Sequence, residues 1–356
     1  MLGRGVDQVL PHPSPPALYE PHVASALDYV HLAERAHGRI QKPASFASIW
    51  GDALEVLERL RPDLRIINLE TAVTRSDRPW PEGINYRMNP RNIPCLTAAS
   101  VDCCVLANNH VVDWGREGLL ETLDALHRAG LKTAGAGRDA EEAAAPAILP
   151  VPKKGRVLVY ALACPSSGVP GDWAAGPNRP GVNFLAEPSA TAIEPIAARI
   201  RSDGAQGDVV VVSVHWGENW GYGVDHGDRA FALGPVESAD VDIVHGYSSH
   251  HAKAIEVYRG KPILYGCGDF LNDYEGIENH EAYRGDLVLM YIVKFDAANR
   301  QLADLKMVPF PIRNFRLNFA NIREANWLQQ TMDRECRRFG GHVNPSDDAM
   351  LSLSWR

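Results

Sequence analysis

The chain reads as an α/β protein with two packed sheets and helices covering their outer faces. Two observations predict this. Short apolar runs rich in valine and isoleucine alternate with amphipathic stretches of helical period, and the later part of the chain adds a hairpin and further strand-like runs. Both sheets then need their outer faces covered, which the alternating helices supply.

In order, Ala53–Arg61 is a helix leading into a strand at Leu64–Ile67. Cys103–Leu106 is a strand followed by a loop and the helix Arg116–Ala129, which Gly130 stops. Leu131–Ala134 is a short strand, with Gly135–Arg138 as its loop. Val157–Ala161 and Val209–Val214 bracket the helix Ala190–Arg201, and Val241–Val244 is a further strand. Ile255–Tyr258, a turn at Arg259–Pro262 and Ile263–Tyr265 form the hairpin. Val288–Phe295 and Leu305–Pro309 extend a second sheet. The helix Ile322–Phe339 and a polar tail close the chain, so residues 1–311 form the main domain and 312–356 a C-terminal helical extension. The Pro/Gly/Trp-rich stretch Pro165–Pro180 is the segment expected to move over a site.

Composition narrows the function. The net charge of -8 is spread without acidic or basic blocks, which argues against a nucleic-acid partner. Six cysteines without a CxxC pair read as buried thiols in a reducing compartment. No run of about 18 apolar residues is present to span a membrane. The opening residues Met1–Gln8 lack the apolar centre of a signal peptide, so a cytoplasmic location is expected.

Four motifs follow strand-like runs: Asn68-Leu-Glu-Thr71, Ala107-Asn-Asn-His110, Val214-His-Trp-Gly-Glu218 and His245-Gly-Tyr-Ser-Ser-His-His251. Carboxyl ends of parallel strands open onto one crevice, where α/β proteins place their ligands. One glutamate, two asparagines and several histidines at one edge point to a divalent metal centre. Each has an ordinary structural alternative: Glu70 as a helix N-terminal acid, Asn109 as a turn residue, His215 as a satisfied core histidine. Three imidazoles in seven residues, His245, His250 and His251, are harder to explain as packing, because neutral imidazole is the form metals bind. Asp113 is spaced to orient His110, and Asp269 in Gly266-Cys-Gly-Asp-Phe270 brings a second carboxylate to the same edge. His12, His22, His31, His37, His127 and His342 read as surface residues. Asp225 and His226, in the insertion Gly221–Asp228, read as a surface turn.

These motifs resemble the CapA family, named for poly-γ-glutamate capsule synthesis; Asn68-Leu-Glu-Thr71, Ala107–His110, His215-Trp-Gly217 and Gly268-Asp-Phe270 carry the likeness over residues 1 to about 311. The resemblance implies a calcineurin-like metallophosphoesterase fold, a four-layer α/β/β/α sandwich with a metal site at the sheet edges. It assigns Glu70, Asn109, His215 and His250 to metal-ligand positions and His110 to the acid/base histidine beside them. Family members open Gly-Asp-Val-Met-Leu-Gly-Arg, and the sequence given begins after that ligand Asp. Tyr247 replaces a histidine, and Ser248 stands where many metallophosphoesterases carry a ligand histidine. A metal centre with few protein ligands is the expectation, and calcium, manganese, iron or zinc all suit mixed nitrogen and oxygen donors.

Such a centre suits carbonyl polarisation better than a tight two-metal phosphatase site. With the partners His110–Asp113 and His250 or His251 with Asp269, the set suits proton abstraction beside a carbonyl, and two bases would invert the carbon. A CapA-like branch does this on a lasso-peptide precursor, inverting its C-terminal tryptophan. The chain is similar to it in type, which makes a precursor peptide the expected partner. Trp216, Trp220 and Tyr247 would wall the apolar residue, and Arg87 or Arg138 would supply a fork for its carboxylate. Phosphate-ester hydrolysis and non-catalytic polymer assembly are the alternatives.

Overall fold

The computed structural model describes residues 1–81, 83–277, 280–346 and 349–355. Its central element is a six-stranded sheet, ordered Ile255–Tyr258, Lys261–Leu264, Ile243–Tyr247, Val209–His215, Gly155–Ala163, Ala147–Val151. The four middle strands are parallel, and the two edge strands run antiparallel to their neighbours. Parallel neighbours need crossover connections. The helix Ala190–Asp203 joins Gly155–Ala163 to Val209–His215, and the helix His226–Ser238 carries the chain on to Ile243–Tyr247.

Side-chain alternation decides what each face touches. Leu158, Tyr160 and Leu162, with Val210, Val212 and Val214, pack with Ala197, Ile200, Phe231 and Ala232 of those helices. Val159, Ala161, Ala163 and Val211 point the other way, into a core shared with Cys103, Cys104 and Val105. That second face meets a parallel three-stranded sheet, ordered Ile66–Asn68, Cys103–Val105, Lys132–Ala134. The helix Gly115–Arg128 connects its last two strands and stops before Gly130, whose φ of +79° a side chain would oppose.

A third, five-stranded sheet runs Leu287–Asp296, Gln301–Arg313, Leu351–Trp355, Gly341–Pro345, with Arg316–Leu317 also paired to Gln301–Arg313. The helix Ile322–Arg337 packs on it, opened by a capping box between Asn321 and Glu324. The stretch read from sequence as a polar tail therefore supplies two strands. Their alternation of buried Val343, Leu351 and Leu353 with exposed neighbours is too short to stand out against the polar residues between them. The hairpin turn holds two residues, Arg259 and Gly260, both at positive φ (51° and 76°).

Other expectations differ in detail. The segment 165–180 is packed: Trp173 is fully buried against Trp80, and the Arg116 guanidinium donates to the Asp172 and Pro180 carbonyls. Residues from His226 open a helix in place of a turn. None of the six cysteines is bridged, and five are buried. No helix among the described residues is long and apolar enough to cross a membrane.

The segment after Met1 forms the short helix Arg4–Val9, fixed from a distance. The Arg4 guanidinium binds Asp273 at 2.6 and 3.1 Å and Glu20 at 2.9 Å. It lies over the Tyr29 and Tyr86 rings at 4.0 and 4.2 Å. Both members of the Arg4–Asp273 pair are buried, so removing one strands the other. Asp273→Ala is expected to cost about 3–5 kcal/mol in denaturant unfolding, and a loss under about 1 kcal/mol would show that Glu20 alone satisfies Arg4.

A second expectation concerns acid. His245 Nδ1 lies 2.7 Å from the Ser213 hydroxyl, and burial pushes its pKa from 6.5 down to about 4. The unfolded chain recovers the ordinary value and binds the proton that the native state refuses. Stability therefore rises with pH across the window from about 4 to 6.5 and falls as pH drops through it. Melting temperatures of His245→Gln measured across this window should show a shallower slope than wild type; parallel curves would contradict it.

Candidate functional site

The carboxyl ends of Ile66–Asn68, Cys103–Val105, Val209–His215 and Ile243–Tyr247 converge across the two sheets. Two contacts close the gap: the Tyr247 hydroxyl donates to the Ala107 carbonyl at 3.0 Å, and His215 Nε2 lies 3.1 Å from Asn109 Oδ1. Asn108, fully buried, holds the first pair of strand ends in register. Its amide donates to Asn68 Oδ1 and the Leu69 carbonyl at 2.9 and 3.0 Å, and its Oδ1 accepts from the His110 backbone. Asn68 in turn donates to Glu70 at 2.7 Å. The motif thus aims Glu70 and the Asn109-His110 pair at one place.

Two histidine–carboxylate pairs face that place. His110 Nδ1 lies 2.9 Å from Asp113 Oδ2, and Asp113 also accepts from the Tyr86 backbone nitrogen. His250 Nδ1 lies 3.2 Å from Asp269 Oδ1, whose other oxygen accepts from Asn272 at 2.9 Å. Holding Nδ1 against a carboxylate fixes the orientation of each ring. The Tyr86 ring packs edge-on against His110 at 4.6 Å, and Tyr274 against His250 at 5.2 Å. The Tyr86 hydroxyl donates to that of Tyr274 at 3.3 Å, and Tyr274 lies 3.4 Å from His250 Nε2. The two dyads are thereby joined through two phenols.

The charges differ across the site. Burial works against a charged His250, yet Asp269 and Glu70 outweigh it and raise its pKa above the ordinary value. Asp269, despite burial, is lowered by His250. His215 goes the other way: burial first, then the neighbouring His110 and His250, push it well below the ordinary range. It is a neutral imidazole at site depth, and its Nδ1 is buried without a partner. Ser248, between the strand end and His250, holds a φ of +122°, a strained conformation for a residue with a side chain. Its hydroxyl donates to the Gly217 carbonyl at 3.0 Å.

The resemblance implies a divalent ion at this place. His215 Nε2 meets the amide oxygen of Asn109 at 3.1 Å, and the unpartnered nitrogen is Nδ1, on the other side of the ring. Among the described residues no three His, Cys, Asp or Glu side chains come together as a metal-holding group. In type alone, the imidazole of His215, the amide oxygen of Asn109 and the carboxylate of Glu70 are donors that a divalent ion takes.

The remaining expected residues lie elsewhere or are engaged. Asp269 pairs with His250, so His251 is left out of the dyad: its Nε2 accepts from the Gly221 nitrogen at 3.1 Å and its Nδ1 sits 3.2 Å from the Ala252 carbonyl. Burial lowers its pKa to about 4. Arg87 turns away, donating to Ser76, Asp77 and Pro15 and covering Trp114. Arg138 pairs with Asp124 and Glu142. Trp216 is core, its indole donating to the Tyr265 carbonyl at 3.0 Å beside Phe231. Trp220 stacks on His280 at 4.0 Å and lies 5.5 Å from His250, at the rim. Tyr247 is a buried strut between the sheets. Sequence reading missed Asn108, Tyr86, Tyr274 and Asn272. For Tyr274 and Asn272 a signal existed, since both follow Asp269 within one short loop.

The chain is similar to known proteins over most of its length. The model of the bacterial capsule synthesis protein family PGA_cap matches residues 1–274. A probable polyglutamine synthesis accessory protein of Mycobacterium tuberculosis is 46% identical over 358 residues, covering 99% of this chain and 93% of its own length. The PGA biosynthesis protein CapA of Bacillus subtilis is 26% identical over 289 residues, 80% of this chain and 70% of its own. The capsule biosynthesis protein CapA of Bacillus anthracis is 30% identical over 192 residues, 54% of this chain and 45% of its own. On the span of the family match and the near full-length relative, the chain belongs to the bacterial capsule synthesis protein family PGA_cap.

Proposed function

We propose that the protein serves in the making of an amino-acid polymer and that its site moves a proton at a carbon beside a carbonyl, inverting that carbon. The polymer context comes from the relatives, named for polyglutamine and PGA synthesis. The observation that carries the chemistry is the pair of imidazoles, each with Nδ1 against a buried carboxylate and joined through Tyr86 and Tyr274. One His–Asp pair acts as base, and the other as acid. In the reaction the C–H bond breaks, its electron pair moves toward the carbonyl oxygen, and His110 takes the proton. His250 supplies a proton to the carbon, and solvent resets both rings. A divalent ion, when bound beside His215 and Asn109, would polarise that carbonyl.

A six-stranded sheet with helices on one face and a second sheet on the other supports the calcineurin-like four-layer sandwich. A lasso-peptide precursor ending in tryptophan is one substrate of the right chemistry. Arg87, the fork expected for its carboxylate, is engaged with Asp77, so a poly-amino-acid chain in general is the preferred substrate class.

Wild-type protein in deuterated water, with a γ-linked glutamate oligomer and separately with a peptide ending in tryptophan, is expected to add one deuteron per inverted centre. Chelation should suppress the exchange. His110→Ala should reduce it by about 10²–10⁴-fold while leaving the fold intact by circular dichroism. Wild-type-like exchange in that variant would remove His110 from its role. Hydrolysis of a simple phosphate ester without exchange would replace the reading by a phosphoesterase.

A further inference from the structure

The Tyr274 hydroxyl stands where the two dyads meet, and its contacts are loose. Tyr86 donates to it over 3.3 Å, His250 Nε2 is 3.4 Å away and Met1 Sδ 3.6 Å. Hydroxyls elsewhere around the site bond tightly: Tyr247 to Ala107 at 3.0 Å, Ser167 to Cys164 at 2.8 Å, Ser248 to Gly217 at 3.0 Å. The Tyr274 hydroxyl donates to Met1 Sδ at 3.6 Å, and a thioether is a weak acceptor that a charged oxygen would displace. Because Tyr86 donates to the Tyr274 oxygen, the Tyr274 proton is directed away from Tyr86.

The ring is nonetheless fixed. The Tyr274 backbone nitrogen donates to Asn272 Oδ1 at 3.1 Å, and Asn272 also binds Asp269. The adjacent Asp273 is locked to Arg4. A rigid donor whose proton rests only on a weak thioether acceptor can turn it to charge developing on a reacting oxygen.

We propose that Tyr274 is a further catalytic residue, its hydroxyl donating to an anionic oxygen of the substrate. The oxygen belongs either to the carbonyl or carboxylate of an amino-acid chain or to a phosphoryl group. The inference builds on the acid/base reading of the site, but its test does not depend on turnover. Tyr274→Phe removes one oxygen and keeps the ring against His250. Calorimetric titration of wild type with inorganic phosphate, and separately with a γ-linked glutamate dipeptide, shows which oxyanion binds. The variant should bind that probe about 10-fold or more weakly, the worth of a hydrogen bond to a charged group, with its melting temperature unchanged. Where exchange is measurable, kcat/KM should fall by at least the factor lost in affinity. Equal affinity in variant and wild type overturns the proposal, as does failure of wild type to bind either probe. Tyr274-dependent oxyanion binding without deuterium exchange would sink the acid/base reading and leave the hydroxyl's role standing.

Discussion

The buried ion pair between Arg4 and Asp273 is the constraint on which the site's geometry rests. Two charges out of water are tolerated only when each is fully engaged. Arg4 meets this with Asp273, Glu20 and the faces of Tyr29 and Tyr86, and Asp273 also accepts from the Gly5 nitrogen. The loop around Asp273 distributes that anchorage. Asp269 holds His250, Asn272 holds Asp269, Tyr274 meets Tyr86, and Glu275 accepts from the Asn314 and Phe315 nitrogens. Within seven residues one loop ties the N-terminal helix, both sheets' site residues and the third sheet together. The spacing of the two dyads is therefore set by a charge pair that touches neither histidine.

The electrostatics of the site follow from unequal carboxylate supply. His250 has Asp269 and Glu70 near and favours its proton, whereas burial and the neighbouring His110 and His250 make His215 refuse it. Similar rings a short distance apart thus prefer opposite charge states. A proton donor beside a neutral ligand-type imidazole is a division of labour that burial alone would not produce, since burial pushes both in the same direction.

Much of the framework was legible because it depends on local pattern. The strand ends bearing Glu70, Asn109, His110 and His215, the helices at 53, 116, 190 and 322 and the hairpin turn all came from periodicity and turn chemistry. The His110–Asp113 pair was legible too, because three residues separate its members. What failed depended on direction in space. Arg87 lies on a short strand whose guanidinium reaches the 76–77 turn, and Trp216 turns into the helix-covered face while its neighbour His215 faces the other sheet. Sequence could not choose between His250 and His251, since adjacent side chains diverge and only the fold decides which meets Asp269.

The five-stranded sheet has its own consequence for how the chain comes together. Leu351–Trp355 lies between Gln301–Arg313 and Gly341–Pro345, so a strand made some forty residues after its neighbour occupies an interior position. As the chain leaves the ribosome, Gln301–Arg313 exposes one side of its backbone until some forty further residues have emerged. An unpaired strand edge is a template for pairing with another chain. The helix Ile322–Arg337, which emerges in the interval and packs on the same sheet, can shield its apolar face but not its hydrogen-bonding edge. The nascent protein is most vulnerable to wrong partners at this third sheet, far along in its synthesis and after the first two sheets can already have closed around the site.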